Sequence, residues 1–470
     1  MGIGLLGFLV GFLSWASASS DTKPGELPTP LEASGFQQLT TASERSEFLR
    51  ALTKYPSEQF TVQLQTLGMS GEKRPIEAIL IKARHPEKDT KYVLLRVLML
   101  GAQHGSEISG CEALLSFAGK LITGFEANNP AFAMTFLIIP AVNPDGIANK
   151  RRVNAQGINL STDYGLLLAP ESTAVNKALL QFKPHVVLDI HESALLKKKT
   201  LGAEGWLTDF EAQFECANNP NVNTALQTFT FNVMLPEILK SLNSKGLPAN
   251  RYIGEITRTD QIIQHGGLSA HNFRNKAGIY GAASFLLENR LDPSTGTYPT
   301  PRNIRERVEK QLLCINTFLS VCRAHSAKLA SLTENARHTN MQWRKAWLQP
   351  EYGTLEKQTT IDIALRRREN NERVLHCFKY RGNILAGPVF MTPKRYIFLS
   401  HIDFFKEWLT KQGISFIDNA NTKQGHFLTA EVNHKNGLLL PLFLEPASAS
   451  TIIDRLPFDI EHLKIRSEHQ

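Results

Sequence analysis

The chain has 470 residues, of which 42% are hydrophobic and 20% charged, and its formal net charge is +8. This length exceeds what one hydrophobic core normally supports, so we expect two folded units. The ordinary hydrophobic and charged fractions exclude a disordered chain and a protein with many membrane spans. Lysine and arginine are scattered without interleaved aromatic residues, so the positive charge does not indicate a nucleic-acid partner.

The N-terminal stretch MGIGLLGFLVGFLSWASASS is apolar but shorter than a transmembrane helix requires. It ends in Ala16-Ser17-Ala18, a small-residue pattern that signal peptidases favour. We therefore predict a signal peptide over residues 1–18, an exported protein that is periplasmic or secreted, and no stable membrane span after cleavage. The stretch has no Lys or Arg, which leaves an uncleaved anchor as the alternative.

The residues that follow are rich in Pro, Gly and Ser and predict a linker over residues 19–45. Short β-type runs then alternate with helical patterns. The β-type runs are FTVQLQTLG, PIEAILIKA, YVLLRVLML, MTFLIIPAV and HVVLDIH, and the helical patterns between them are GCEALLSFAGKLITGF and STAVNKALLQF. Strands separated by helices predict an α/β fold with a mixed, largely parallel central sheet flanked by helices. Such sheets place ligand sites beyond the carboxyl ends of their strands.

A long helix predicted at about residues 303–333 closes this first unit, which we place at residues 46–335. From about residue 340 the composition changes to short β-like runs and one amphipathic stretch, without a cluster of potential metal ligands. We therefore predict a smaller C-terminal α+β accessory domain over residues 340–470.

A candidate metal site begins directly after YVLLRVLML, where QHGSE places His104 and Glu107 three residues apart. This pair alone is a weak signal, because a histidine near a glutamate is common. His191, at the end of VVLDIH, is the third candidate and again follows a buried strand. Two histidines and one carboxylate form the three-ligand zinc site that leaves a coordination position open, which is a catalytic arrangement.

Hydrolysis at such a site also needs a general base and a group that stabilises an oxyanion. Glu288 ends the apolar run of AASFLLENR, where a carboxylate is costly to bury and therefore favours a functional role over an ion pair with Arg290. Arg151 and Arg152, which follow VNPDG, are the candidate cations.

The series HGSE, NPDG, an arginine before NxxGI, DIHE and a late LLE, in this order over residues 92–290, resembles the zinc carboxypeptidase family of metallopeptidases and its deacylase relatives. The resemblance implies an eight-stranded mixed sheet flanked by helices. It implies that His104, Glu107 and His191 bind one Zn²⁺ per chain. It also implies that Glu288 is the general base that promotes attack by a zinc-bound water, and that Arg152, or otherwise Arg151, polarises the scissile carbonyl.

The sequence departs from this family at GINLSTDY, where family members that trim C-terminal residues resemble GVDLNRDF. Asn159 stands where an aspartate orients a zinc-binding histidine, and we assign it to a supporting position behind the metal ligands. Ser161 and Thr162 replace the Asn-Arg pair that grips the substrate carboxylate; we assign them, with Arg151, to substrate binding. A hydroxyl cannot replace a bidentate guanidinium, so this segment argues against ordinary trimming of C-terminal residues unless another cation supplies the clamp.

The candidates for that cation are Lys197–Lys199, Arg274 and Lys276, and the sequence does not choose among them. Tyr252 and Tyr280 are both open candidates for a tyrosine that caps the substrate.

Three functions remain open at this point. The leading one is a zinc-dependent exported hydrolase of peptide or amide bonds. The second is an N-acyl amino acid deacylase of the same fold, which needs no grip on a C-terminal carboxylate. The third is a catalytically inactive protein that binds a metal or a peptide, although all three ligands and Glu288 are retained. The sequence does not indicate the oligomeric state.

Overall fold

The computed structural model describes residues 27–84, 93–124, 134–194, 201–291, 303–339, 345–422, 425–433 and 436–469. The predicted signal peptide, residues 1–18, and the first residues of the predicted linker lie outside this part of the chain. Within it, no helix combines the length and the apolar character that crossing a bilayer requires.

The described residues between 27 and 291 contain nine strands. They are β1 (Phe60–Met69), β2 (Pro75–Ala83), β3 (Leu95–Gly101), β4 (Met134–Ile139), β5 (Val186–Ser193), β6 (Trp206–Thr208), β7 (Ala212–Cys216), β8 (Ala249–Arg251) and β9 (Ala283–Arg290). Eight of them form one sheet in the order β1-β2-β4-β3-β5-β9-β7-β8. The pairings of β3 with β4 and β5, of β5 with β9 and of β7 with β8 are parallel, and the others are antiparallel. The predicted mixed, largely parallel sheet is therefore confirmed.

Helices cover both faces of this sheet. They are α1 (Pro30–Ala33), α2 (Ala42–Lys54), α3 (Ser109–Thr123), α4 (Pro144–Ala148), α5 (Pro170–Phe182), α6 (Thr224–Phe229), α7 (Leu235–Ser244), α8 (Phe273–Ile279), α9 (Ile304–Ala324) and α10 (Ser326–Thr339). Because side chains alternate along a strand, Val97 and Met99 of β3 pack with α3, α7 and α9, while Leu98 and Leu100 pack with α5 and α8. The sheet is thus buried on both faces, which explains its continuous apolar runs.

The predicted linker is wrong over its second half, because residues 29–45 are folded onto the sheet unit. Thr29 and Thr41 each begin a helix with a capping box, in which the threonine pairs with the glutamate three residues later. Leu31 is buried in the core, and the Thr40 hydroxyl donates to Glu112 Oε2 at 2.7 Å. The motifs TPLE and TASE are helix-start signals that the Pro- and Ser-rich composition obscured.

The single long helix predicted at residues 303–333 is two helices, α9 and α10, separated at His325. The His325 backbone leaves the helical conformation, with φ −107° and ψ 19°. Its ring Nε2 lies 2.7 Å from Glu237 Oε2 of α7, so a contact from another helix accompanies the break.

The C-terminal part contains strands and helices, in keeping with the predicted α+β character. They are β10 (Lys345–Trp347), β11 (Glu351–Gly353), β12 (Thr360–Arg367), β13 (Arg373–Lys379), β14 (Asn383–Leu385), β15 (Val389–Met391), β16 (Arg395–Phe398), α11 (Ile402–Gln412), β17 (Phe416–Thr422), β18 (Gly425–Glu431), α12 (Leu439–Leu444) and β19 (Ile465–Glu468). A four-stranded sheet has the order β17-β18-β16-β19, and β10-β15 and β11-β14 form two separate strand pairs.

This accessory region shares its cores with the sheet unit. Strand β6 of the sheet unit adds to β12 and β13 in a three-stranded sheet. Trp408 and Phe443 pack in one apolar cluster with Ile279 of α8. The apolar cluster of the accessory region therefore also includes side chains of the sheet unit.

A buried ion pair fixes β5 against α9 and α3. The Arg307 guanidinium makes two hydrogen bonds of 2.8 Å to the Glu192 carboxylate, whose Oε2 also accepts the Ser109 backbone N–H at 3.0 Å. Both side chains are more than nine-tenths buried. Glu192 directly follows His191, so this bidentate pair also fixes the backbone of the candidate metal site.

The Arg307→Met variant should lower the free energy of unfolding by about 3–5 kcal/mol, because it leaves the Glu192 carboxylate buried without its cation. Urea denaturation measures this change. Arg258→Met is the control, since Arg258 and Asp260 form an ion pair with side chains 66% and 74% exposed; there we expect less than about 1 kcal/mol. Equal losses in both variants would contradict the role given to the buried pair.

Candidate metal centre and active site

The three predicted metal ligands meet at the carboxyl ends of two neighbouring parallel strands. His104 and Glu107 lie in the turn between β3 and α3, and His191 lies near the end of β5. His104 Nδ1 is 2.9 Å from Glu107 Oε1, His191 Nδ1 is 2.9 Å from Glu107 Oε2, and the two Nδ1 atoms are 3.1 Å apart. All three residues are buried. Two imidazoles and one carboxylate therefore point at a common position.

The other ring nitrogen of each histidine is held by a polar partner. His191 Nε2 lies 3.2 Å from Asp189 Oδ1. His104 Nε2 lies 3.0 Å from Asn159 Oδ1 and 3.0 Å from Ser161 Oγ. A histidine that donates its Nε2 hydrogen to an acceptor presents the Nδ1 lone pair on the opposite side of the ring. Both rings are thus oriented with Nδ1 toward the common position.

The Asp189 carboxylate is itself fixed by a buried network. Gln103 Nε2 donates to both oxygens of Asp189 at 2.8 Å, and Gln103 Oε1 accepts the Tyr164 hydroxyl at 2.8 Å. Because β3 and β5 are neighbours, this network also ties the ends of the two ligand-bearing segments together. Its members are buried, so the ligand positions have little freedom.

The surroundings of the three candidate ligands shift their pKa values, and the shift at Glu107 favours the charged carboxylate that a cation binds. Burial tends to raise the pKa of Glu107, but hydrogen bonds from His104 and His191 outweigh it and hold the pKa of this carboxyl well below its usual range. Burial lowers the pKa of His104, with Glu107 offsetting part of the effect. For His191, burial lowers the pKa, yet the Asp189 and Glu107 carboxylates outweigh it and raise that pKa well above the ordinary value. A metal ion bound here would compete with the His191 proton.

The donor set fits a divalent metal ion. Zinc bound by imidazole nitrogen and carboxylate oxygen has bonds of about 2.0–2.1 Å, so tetrahedral ligand atoms lie about 3.3 Å apart. The separations of 2.9–3.1 Å between the donor atoms are close to that edge length. Three protein ligands would leave one coordination position for a further group.

Glu288 lies beside these ligands on the next strand of the sheet. In the parallel pairing of β5 with β9, His191 is directly opposite Glu288, and Gln213 of β7 is opposite Glu288 on its other side. Neighbouring strands lie about 4.8 Å apart, which places the Glu288 backbone one strand spacing from that of His191. The Glu288 side chain is partly buried.

The arginine loop reaches the same site through one of its two arginines. Arg152 NH1 lies 2.6 Å from Glu107 Oε1, and the Arg152 side chain is 55% exposed. The Arg151 side chain is exposed. Arg152 is therefore the arginine that contacts a candidate metal ligand.

The residues at the place of the substrate clamp use their hydroxyls locally. Ser161 Oγ donates to Asn159 Oδ1 at 3.0 Å in addition to its contact with His104. Thr162 Oγ1 donates to the Asn159 carbonyl at 3.3 Å and is exposed. Ser161 thus supports a candidate metal ligand, and neither residue offers charge to a substrate.

The remaining candidates for the substrate-binding cation and the capping tyrosine lie in different parts of the fold. Lys276 Nζ donates to Tyr164 O and to Gln412 Oε1, both at 2.6 Å, so it is fully buried against the accessory region and is not a cleft cation. Tyr280 also faces that region, because its hydroxyl donates to Gln412 O at 3.0 Å. Tyr252 differs from Tyr280 in that the charges of Glu288 and Arg274 both act on its hydroxyl. Lys197–Lys199 fall outside the described residues.

The site contains two residues that the sequence reasoning missed, Asp189 and Gln103. Asp189 precedes His191 by two positions in VVLDIH, so the alternation of side chains along a strand places both on one face. That spacing was available as a signal. Gln103 had no such signal, because its role depends on the pairing of β3 with β5.

Comparisons with known proteins find a family match that includes His104 and Glu107 and ends before His191. Residues 46–172 match the family model described as zinc carboxypeptidase. Carboxypeptidase 2 of Trichophyton tonsurans and Carboxypeptidase 2 of Trichophyton rubrum are each 25% identical over 280 residues, which cover 57% of this chain and 50% of each relative. The chain thus spans about half the length of these curated relatives.

Among solved structures, a metallo-carboxypeptidase from Burkholderia cenocepacia is similar at 17% identity and a TM-score of 0.45, over 61% of this chain and 69% of that one. The family match and the curated relatives show that part of this chain is similar to zinc carboxypeptidases, and the converging His-Glu-His side chains form a group that could hold a metal ion.

Proposed function

We propose that this protein is a zinc-dependent hydrolase of peptide or amide bonds that acts on the C-terminal end of a peptide. The observation that carries the proposal is the convergence of His104, Glu107 and His191 with Glu288 directly opposite His191 on the next strand. A buried metal-ligand set with an acidic side chain beside its open position suits hydrolysis better than a purely structural metal site.

In this proposal His104 Nδ1, Glu107 and His191 Nδ1 hold one Zn²⁺ per chain. Bound Zn²⁺ supplies a Lewis acid that polarises a carbonyl group and lowers the pKa of water. Asp189 and Asn159 keep the two imidazoles in the tautomer that presents Nδ1. An amide oxygen at Asn159 accepts the His104 N–H without the charge of a carboxylate, so we expect His104 to be a weaker donor than His191.

Glu288 takes the role of general base in this account. Its carboxylate accepts a proton from the attacking water and delivers it to the leaving amine. One carboxylate can do both only if it lies on the same face as the metal ligands. Arg152 donates to the scissile carbonyl oxygen, since its long and largely exposed side chain can move from Glu107 to a substrate. We also propose that Arg151, Ser161 and Thr162 contact the substrate beside this position.

A second candidate function, N-acyl amino acid deacylation, is favoured by the residues at 161 and 162. Both hydroxyls are engaged within the chain and neither residue is charged, so this segment gives no grip on a C-terminal carboxylate. A deacylase cleaves the same kind of bond with the same metal ligands. The two functions differ in whether the substrate must end in a free carboxylate after an amino acid.

We also propose that the protein acts after export, on peptides in the periplasm or outside the cell. The N-terminal apolar stretch followed by Ala16-Ser17-Ala18 supports this location. Mass spectrometry of the protein recovered from its native compartment should find an N-terminus at or near residue 19. An intact N-terminus at residue 1 would favour the uncleaved anchor.

The reaction class is tested with a matched panel of free-C-terminus peptides, the same peptides amidated, and N-acyl amino acids, with products identified by mass spectrometry. Release of the last residue from free peptides alone supports carboxypeptidase action. Cleavage of N-acyl amino acids alone supports the deacylase. No turnover by fully zinc-loaded protein would favour the inactive binding protein and contradict both.

Glu288→Gln should lower kcat at least about 10²-fold while zinc still binds, because the amide keeps the shape but cannot take the proton. Steady-state kinetics on the best substrate of the panel and metal analysis of the same sample measure the two quantities. Glu112→Gln is the control, since Glu112 is a buried carboxyl that accepts hydrogen bonds from Thr40 away from the site. A Glu288→Gln variant of undiminished kcat would contradict the role of Glu288.

Asp189→Asn should weaken zinc binding about 10–100-fold, because an uncharged partner leaves His191 a poorer donor. Competition with a chromophoric chelator measures the zinc affinity. Asp209→Asn provides the comparison: Asp209 is equally buried but its carboxylate pairs with Arg366 and Arg373 of the accessory region. If both variants bind zinc as the unmodified chain does, the supporting role of Asp189 is wrong.

A further inference from the structure

We propose that Arg274 is the residue that binds the C-terminal carboxylate of the substrate, in place of the Asn-Arg pair that is missing at Ser161 and Thr162. This inference rests on the proposed function, and it names the group that determines specificity for a free C-terminus. Four observations support it: the burial of Arg274, its unused hydrogen-bonding capacity, the engagement of the other cations nearby, and its position relative to Glu288.

Arg274 is a buried arginine whose guanidinium donates hydrogen bonds only to neutral oxygens among the described residues. Arg274 is only 5% exposed to solvent. Its NH2 donates to Asn218 Oδ1 at 3.0 Å and to the Gly267 carbonyl at 3.1 Å, both neutral oxygens. Its Nε has no hydrogen-bond acceptor in the described part of the chain. A buried guanidinium normally has a carboxylate to compensate its charge, so Arg274 is prepared for an anion that the chain does not supply.

The other cations around Arg274 are already compensated or face elsewhere. Arg251 Nε pairs with Glu215 Oε2 at 2.9 Å, and Arg290 NH1 lies 3.6 Å from Glu211 Oε1. Lys276 is directed at Tyr164 and Gln412. Arg251 and Arg274 both act electrostatically on the single carboxylate of Glu215, so this buried group of two arginines and one glutamate keeps an excess positive charge.

Arg274 lies next to Tyr252 at Gly266. A Cβ atom placed on Gly266 would come within 2.9 Å of Arg274 NH1 and 3.0 Å of Tyr252 Cδ1, so the guanidinium and the phenol ring both contact this glycine backbone. A side chain at residue 266 would displace one of them. The absent Cβ therefore leaves the guanidinium space beside the ring.

Tyr252 connects Arg274 to the reacting centre. Tyr252 follows β8, and its backbone N–H donates to Phe214 O of β7, the strand whose Gln213 is opposite Glu288. Burial first, then the Glu288 carboxylate, raises the pKa of Tyr252, while the Arg274 charge opposes the shift. Tyr252 is thus within electrostatic range of both Glu288 and Arg274.

This position matches what a C-terminal residue needs. Consecutive Cα atoms are about 3.8 Å apart, so the carboxylate of the last residue lies one residue beyond the scissile carbonyl. Its receptor must therefore be a neighbour of the general base. A guanidinium can bind a carboxylate through two parallel N–H donors, and the unused Nε of Arg274 can supply one of them.

The test compares Arg274→Gln and Arg274→Lys with the unmodified zinc-loaded protein on peptides with free and amidated C-termini. We expect Arg274→Gln to raise KM for the free peptide about 10- to 100-fold, because the loss of a charge-assisted pair weakens binding by about this factor. KM for the amidated peptide should not change. Arg274→Lys should recover part of the lost affinity, because lysine restores the positive charge but not the two parallel N–H donors of a guanidinium. The preference for the free C-terminus should fall in the same order.

Binding is measured separately by calorimetry in the Glu288→Gln background, so that the readout does not depend on turnover. Arg337→Gln is the matched control. Arg337 is a largely buried arginine that donates to the Pro184 carbonyl before β5, at the opposite end of the strand from His191. Circular dichroism and thermal unfolding establish that each variant is folded. If Arg274→Gln does not fold, Arg274→Lys is compared with the unmodified protein in its place.

Three outcomes would overturn the inference. Equal affinity of Arg274→Gln and unmodified protein for the free peptide would exclude Arg274 as the receptor while the proposed hydrolase stands. A loss equal for free and amidated peptides would show a structural role. A loss confined to an amidated peptide ending in Glu would show that Arg274 binds a side-chain carboxylate instead. If the unmodified protein cleaves and binds no member of the panel, the proposed function itself fails.

Discussion

The structure depends on one local constraint: two imidazole nitrogens and a carboxylate are held within about one hydrogen-bond length of each other in a buried position. His104 Nδ1 and His191 Nδ1 are 3.1 Å apart, and Glu107 bridges them. Such a group is costly to bury unless a proton or a cation lies between its members. Much of the surrounding architecture serves to hold these three side chains in place.

Two sets of contacts hold the three metal-ligand side chains in place. Behind the histidines, Asp189 and Asn159 fix the ring orientations, and Gln103 ties Asp189 to the end of β3. Around the strands, the buried Glu192 and Arg307 pair anchors the end of β5 to α9. Side chains that are locked in this way lose little entropy when they bind a metal ion or a substrate, which is the condition for a precise catalytic site.

The central sheet could be predicted from local patterns, and the metal ligands could be predicted from their positions at strand ends together with the resemblance to zinc carboxypeptidases. Buried strands are continuous apolar runs, and polar residues at their carboxyl ends lie at one edge of the sheet. The position of Asp189 could have been predicted in the same way from its spacing to His191. The two capping boxes at Thr29 and Thr41 were also readable, although the composition around them suggested a linker.

Other features could not be predicted because they depend on pairings between distant segments. The isolation of Arg274 follows from where Asn218, Gly266 and Gly267 lie around it, and the burial of Lys276 follows from Gln412 in the accessory region. From the sequence, these two cations were equivalent candidates. Likewise, only the pairing of β6 with β12 reveals that the accessory region shares a sheet with the first unit.

The most direct test of the account is anomalous diffraction from crystals of the zinc-loaded protein, measured on both sides of the zinc absorption edge. The account predicts one zinc peak per chain within bonding distance of His104 Nδ1, Glu107 and His191 Nδ1, with Glu288 facing the position that these ligands leave open. A zinc peak at any other group of side chains, with these three residues still hydrogen-bonded to one another, would contradict it.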